Sequence, residues 1–310
     1  MYRVSTVGNY SAILANLMAA QQRQVEAGQQ ISSQKNGSDL KDYARDAEML
    51  TAMRAVSARS DGYIEQNALI ADRLTTQDTA LNQVADAAKA TREAIAEALA
   101  SGRADTLIQD IESQLRNAVE GMNARYGGKY LFSGGQIDTR PVTATALSDL
   151  TAPATVISDF FKNDQFQVQA KVDESTTVDV GVLADDVGTS MLTAYKAFQA
   201  FQQGPSGGFG GVLTAAQTTF LEGQLASWDQ AAQDVTNIAG RNGLVQKRVS
   251  SVRTDLTSRQ NTLAGMMGDI TDVDMAAAVS RLQAAQLSVQ SAAEVFRTLQ
   301  ETSLINLLRA

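Results

Sequence analysis

The sequence predicts a mainly α-helical, elongated protein with a small β-rich insert, its long N- and C-terminal helices paired in coiled-coil-like bundles. Three observations predict it. All three prolines, Pro141, Pro153 and Pro205, lie in the central third, and the flanks 1–140 and 206–310 contain none. Proline is excluded from helix interiors by its missing N–H and its clash with the preceding turn. Both flanks also repeat apolar residues at alternating spacings of three and four, the seam of a coiled coil. In the centre the repeat shortens to two.

The N-terminal stripe, Ile13, Leu14, Leu17, Val25 and Ile31, is the weakest, set among many glutamines. A second stripe runs through Ile64, Asn67, Ala71, Leu74, Asp78, Leu81, Ala85, Ala88, Arg92, Ile95 and Leu99, interrupted by three polar residues. In the centre, Phe166, Val168, Ala170 and Val172 alternate with polar residues. After Asp173-Glu174-Ser175, Val178, Val180 and Val182 alternate again, which predicts a β-hairpin. The glycine-rich run Gly204–Gly211 marks the return to helix. A third stripe uses Leu221, Leu225, Trp228, Ala232 and Val235, then Val245, Val249, Val252, Leu256 and Leu263. The last follows Met275, Ala278, Leu282, Ala285, Val289, Ala292, Phe296 and Leu299. The chain goes out as helices, makes an insert and comes back as helices, so its ends should meet.

Composition restricts the chemistry. The chain has no Cys and no His, which removes disulfides, thiolate or imidazole metal sites, cysteine nucleophiles and Ser-His-Asp triads. Its 26 basic and 34 acidic residues give a net charge of −8, which argues against bulk binding to nucleic acid or an anionic membrane. Only 5% of residues are aromatic, a composition for thin helices in close contact rather than one large core. The opening Met1–Thr6 has no apolar region of the kind a cleaved secretory signal needs, and no run is long enough to span a bilayer.

Motifs for catalysis or cofactors fail on inspection. A phosphate loop ending at Gly128-Lys129 would need Gly at 123 and Ser or Thr at 130, where Asn123 and Tyr130 stand. The run from Gly208 lacks the third glycine of a dinucleotide fingerprint. Asp269, Asp272 and Asp274 do not space as a calcium loop, because the required Gly and Glu are replaced by Ala277 and Gln283. They read instead as helix-start residues, with Thr271 or Asp272 capping a helix that opens at Val273. Trp228 reads as core, and Met266, Met267 and Met275 as seam fillers. No enzyme, cofactor or metal is expected.

What remains is amphipathic surface at both ends. Long helices with narrow seams are marginal alone in water. Subunits are therefore expected to complete each other's cores, through Ile13, Leu14, Leu17, Ile31, Met275, Leu282, Val289, Phe296, Leu299, Leu304 and Leu307. The derived role is assembly.

At this point the residues resemble a known family. Gln29–Asp39 (QQISSQKNGSD), Tyr63–Leu81 with Asn67, Leu74, Asp78 and Leu81, Ile238–Asn242 and Thr271–Ala276 (TDVDMA) resemble conserved-type stretches of the bacterial flagellin superfamily. Within it, Gly128–Gly135 (GKYLFSGG) and the ending Leu299–Leu308 are similar to the subunits that join hook to filament. Where the superfamily commonly carries "DDP-x-A", this chain has Leu40-Lys41-Asp42-Tyr43-Ala44.

The resemblance implies three parts: a terminal-helix inner domain of 1–40 plus 271–310, a helical-bundle domain of 41–135 plus 206–270, and a small β-containing outer domain of 136–205. It also implies a secreted structural subunit of the flagellum, exported by the type III route without signal cleavage. Implied partners are the hook-side junction protein, flagellin, copies of itself, and an export chaperone at the C-terminal helix. A filament flagellin with a short outer domain is the alternative.

Overall fold

The computed structural model describes the backbone of residues 3–308 and the side chains of 11–298. Six α-helices account for most of it: α1 (Arg3–Ser33), α2 (Ala47–Ser101), α3 (Leu107–Met122), α4 (Ala184–Gln203), α5 (Ala215–Thr271) and α6 (Met275–Leu308). Four short strands form two antiparallel hairpins, β1 (Arg125–Tyr126) with β2 (Lys129–Tyr130), and β3 (Gln169–Lys171) with β4 (Thr177–Asp179). The chain divides into two compact units, 1–59 with 259–310 and 60–258.

The 60–258 unit holds the larger core. From α2 it takes Leu81, Val84, Ala88 and Ile95, from α3 Ile111, Leu115 and Met122, from α4 Met191, Tyr195 and Phe198, and from α5 Leu221, Trp228 and Val235. Trp228 is fully buried and meets Tyr195 edge-on at 4.5 Å, a favoured ring geometry. The Tyr195 hydroxyl lies 3.1 Å from Thr91 Oγ1, which gives a buried phenol a partner. Burial raises the Tyr195 pKa, with the Thr91 hydroxyl opposing.

The expected α2 and α5 stripes are inward-facing, and their polar interruptions are used. Asn67 Nδ2 donates to Val172 O at 2.9 Å, holding the second hairpin against α2. The gap between Val235 and Val245 is filled by buried Ile238 and Asn242. Asn242 Nδ2 donates to Leu74 O at 3.0 Å, and its Oδ1 accepts from Gln77 Nε2 at 3.0 Å. A smaller core of Leu74, Val172, Val180, Val249, Val252 and Leu256 lies beside this layer.

The first helical passage is not continuous. Gly102 at φ +65° ends α2, the usual left-handed glycine after a helix. Ala104 N then donates to Gly211 O and Leu213 N to Gly102 O, stitching the break to the entrance of α5. The hairpin read from 166–182 is present, with strands of only three residues each and register Gln169↔Asp179 to Lys171↔Thr177. Asp173 Oδ1 ties its turn, accepting from Ser175 N at 2.7 Å and Thr176 N at 2.6 Å.

Segment 136–205 contains more than β-structure. Twenty of its residues form α4, whose Val187, Met191, Leu192, Tyr195 and Phe198 enter the larger core. The helix expected to open at Val273 opens at Met275. Its cap is Asp274, whose Oδ1 accepts from Ala276 N at 2.9 Å and Ala277 N at 3.1 Å, satisfying donors that the first turn leaves free.

Candidate assembly surface

In the 1–59/259–310 unit, α1 packs against α6. The inward positions of α6 follow the expected stripe: Ala278 and Ala285 are buried, and Leu282, Val289, Ala292 and Phe296 are half-buried. On α1 the seam is Ile13, Leu17, Ala20, Gln24, Ala27 and Ile31, with only the two alanines fully buried. Small residues at the contact bring the backbones close but leave little apolar area to bury.

The expected surface residues separate accordingly. Ile13, Leu17, Ile31, Leu282, Val289 and Phe296 lie on the seam between the two helices, half-buried. Leu14 and Met275 are exposed, at 40% and 39%. The side chains of Leu299, Leu304 and Leu307 lie outside the described residues. Val25, read as part of the α1 stripe, is 59% exposed. With Leu14 and Met18 it forms an outward row on α1, while Val279, Leu287 and Val295 are exposed on α6. Such a pair has apolar positions that stand exposed among the described residues.

The two helices are tied at one end by a compact polar joint. Asn36 N donates to Thr271 O at 2.8 Å, and Val273 N to Gln34 O at 3.0 Å. Lys35 bridges to the Asp272 carboxylate and donates to Thr271 Oγ1 at 3.2 Å. The Lys35 ammonium, with the Thr271 hydroxyl, lowers the Asp272 pKa. The Leu40–Tyr43 segment is a 3-10 turn. Asp42 Oδ2 accepts from Ser38 N and Asp39 N, each at 3.0 Å. The Tyr43 hydroxyl donates to Gly37 O and accepts from Gly37 N, both at 2.9 Å. A Cβ on Gly37 would stand 2.4 Å from that of Asp42, so only glycine fits there.

Sequence reasoning missed Lys35, Asp42 and Tyr43 as joint residues, since their partners are distant in the chain or unmarked by any periodicity. Of the acidic trio read near 272, two have their roles here: Asp272 pairs with Lys35, and Asp274 caps α6. Among the described residues no group of three or more acidic side chains is placed to hold a metal. No helix among them is long and apolar enough to cross a membrane.

Comparison with known proteins agrees with this arrangement. The N-terminal helical region of bacterial flagellin matches residues 4–136, and its C-terminal helical region matches residues 225–308. None of the curated proteins matches the chain in sequence. Among solved structures, a flagellar hook-associated protein of Vibrio parahaemolyticus superposes with a TM-score of 0.60 at 17% identity, over 74% of this chain and 100% of that one. FlgL of Bacillus cereus gives a TM-score of 0.53 at 15% identity, over 71% and 99% of the two chains. FlgL of Xanthomonas campestris gives 0.53 at 13%, also over 71% and 99%. These likenesses are of fold. With helical regions matched at both ends, their helices paired and a β-bearing segment between, this chain belongs to the bacterial flagellin family, whose members are structural subunits of the flagellum rather than enzymes.

Proposed function

We propose that the protein is the hook–filament junction subunit, the role of hook-associated protein 3, and that it serves as the platform on which flagellin assembles. The observation that carries the proposal is the α1/α6 pair, whose seam is thin and whose Leu14, Met18, Val25, Val279, Leu287 and Val295 stand open. A pair like this is completed by neighbours. Supporting the junction over the filament are the GKYLFSGG and C-terminal sequences, and the hook-associated proteins among its structural neighbours. Its partners are then the hook-side junction protein, flagellin and its own copies, with an export chaperone covering α6 beforehand. Open apolar positions on α6 are the physical reason for such a cover.

On this reading the protein acts outside the cell, exported without a cleaved signal. Residues 1–40 with 271–310 form the inner part, 41–135 with 206–270 the helical bundle, and 136–205 the outer part. Ile13, Leu14, Leu17, Ile31, Met275, Leu282, Val289, Phe296, Leu299, Leu304 and Leu307 supply its contacts with neighbours.

Deletion of the gene tests the proposal: hooks should remain bare while flagellin escapes into the medium. Growth of long filaments from the purified protein alone would instead make it a filament flagellin.

A further inference from the structure

The acidic chain concentrates positive charge in one groove of the 60–258 unit. A cavity of about 410 Å³ is lined by Arg116, Glu120 and Asn123 from α3, by Arg125 and Tyr130 from the first hairpin, and by Arg140. Three arginines and one glutamate line it, giving a local excess of two positive charges in a chain whose net charge is −8. Arg116, Arg125 and Arg140 form no ion pair with any carboxylate among the described residues, whereas Arg92 and Arg103 each have one.

The groove is also built rather than incidental. Gly127 and Gly128, at φ +56° and +81°, make the two-residue turn that pairs Arg125 with Tyr130 across the hairpin. Both central positions of such a turn need positive φ. Arg125 lies over the Tyr130 ring at 4.1 Å and donates to its hydroxyl, so its guanidinium is held before any ligand arrives. Lys129, the neighbouring cation on the hairpin, is instead neutralised by Asp138 at 2.6 Å. The stretch carrying Arg140 is fixed two residues later. Asn123 Nδ2 donates to Val142 O, and Val142 N donates to Asn123 Oδ1, both at 3.0 Å.

We propose that this groove binds a small multivalent oxyanion, a polycarboxylate or a polyphosphate, which the three arginines hold by charge-assisted hydrogen bonds. Planar guanidinium forks match carboxylate and phosphate oxygens two at a time. The cavity has room for a compact group of this kind but not for a helix or a folded surface.

The test is calorimetric titration of the full-length protein with citrate and with pyrophosphate at low salt, and with tetraglutamate as the peptide comparison. Saturable one-to-one binding of citrate or pyrophosphate is expected. It should weaken about tenfold in Arg125→Gln, and further when Arg116→Gln and Arg140→Gln are added. Glu120→Gln should tighten it about two- to fivefold, since it removes the one opposing charge. All four residues are exposed, and unchanged circular dichroism would show that the variants fold. Unsaturable binding, equal binding by the triple variant, or tighter binding of tetraglutamate than of either small anion would overturn the proposal, the last by assigning the groove to a protein.

Discussion

The two units of this chain are both built mainly on long helices, yet they hold together by different means. The 60–258 unit encloses Trp228, Tyr195, Phe132 and Phe198, all fully buried. At roughly 25 cal/mol per Å² of apolar surface, aromatic residues of this size dominate a core. The unit of 1–59 with 259–310 buries chiefly alanines along its α1/α6 seam and leaves larger side chains half-exposed. The same secondary structure therefore serves two purposes. One unit carries an aromatic core, and the other leaves much of the apolar surface of α1 and α6 half-exposed.

Hydrogen exchange gives the largest expected contrast. In dilute monomer, amides of α1 and α6 should exchange orders of magnitude faster than those around Ile111–Val119 and Trp228–Val235, and should slow on assembly. Strong protection of 11–33 and 275–298 in the monomer would remove the distinction. Trp228→Ala should lower stability by about 3–5 kcal/mol in denaturant titration, because it empties a well-packed site. Phe296→Asp should leave that transition unmoved and abolish assembly instead, since a charge would enter a shared apolar seam. Normal motility of a Phe296→Asp strain would break this part of the comparison.

Smaller effects refine it. Asn242→Leu should cost about 1–3 kcal/mol, because it strands the Gln77 amide in a buried layer, whereas the Leu74 carbonyl still accepts from Gln246 Nε2 at 3.0 Å. At the joint, the Lys35 ammonium lowers the Asp272 pKa. A carboxylate depressed in the folded state contributes stability above its unfolded value of about 3.9, and loses it as pH falls through the folded value. Acidification below about pH 4 should thus loosen the joint in wild type. A Lys35→Met variant should lack that acid step, as followed by spin-label distances between positions 30 and 285. The ion pair is exposed, so the effect on global stability should be slight.

Much of the larger unit was legible because its stripes are long. The α2 and α5 positions from Ile64 to Leu99 and from Leu221 to Leu256 point inward as their spacing predicts. Asn67, which interrupts the α2 stripe, and Asn242, in the gap of the α5 stripe between Val235 and Val245, are where it hydrogen-bonds. On α1, counting large apolar residues chose Leu14 and Val25, whereas the contact is made through Ala20 and Ala27. Periodicity weighted by size overlooks a seam built on close approach. Helix α4 was missed because the alternating residues just before it set the reading of the whole centre, although Val187, Met191, Tyr195 and Phe198 have helical spacing. The joint could not be read locally, because Lys35 and Asp272 are 237 positions apart.

That separation has a kinetic consequence. Bringing two points so far apart in an unfolded chain together costs about 5 kcal/mol of loop-closure entropy. Packing of Tyr63 and Ile64 against the smaller core that includes Val249, Val252 and Leu256 closes most of that loop beforehand. Nucleation in the aromatic-rich unit followed by closure of the joint is therefore the cheaper order of events. While the 60–258 portion is still unfolded, pairing the chain ends bears the full closure cost, so the α1/α6 pair is expected to form last.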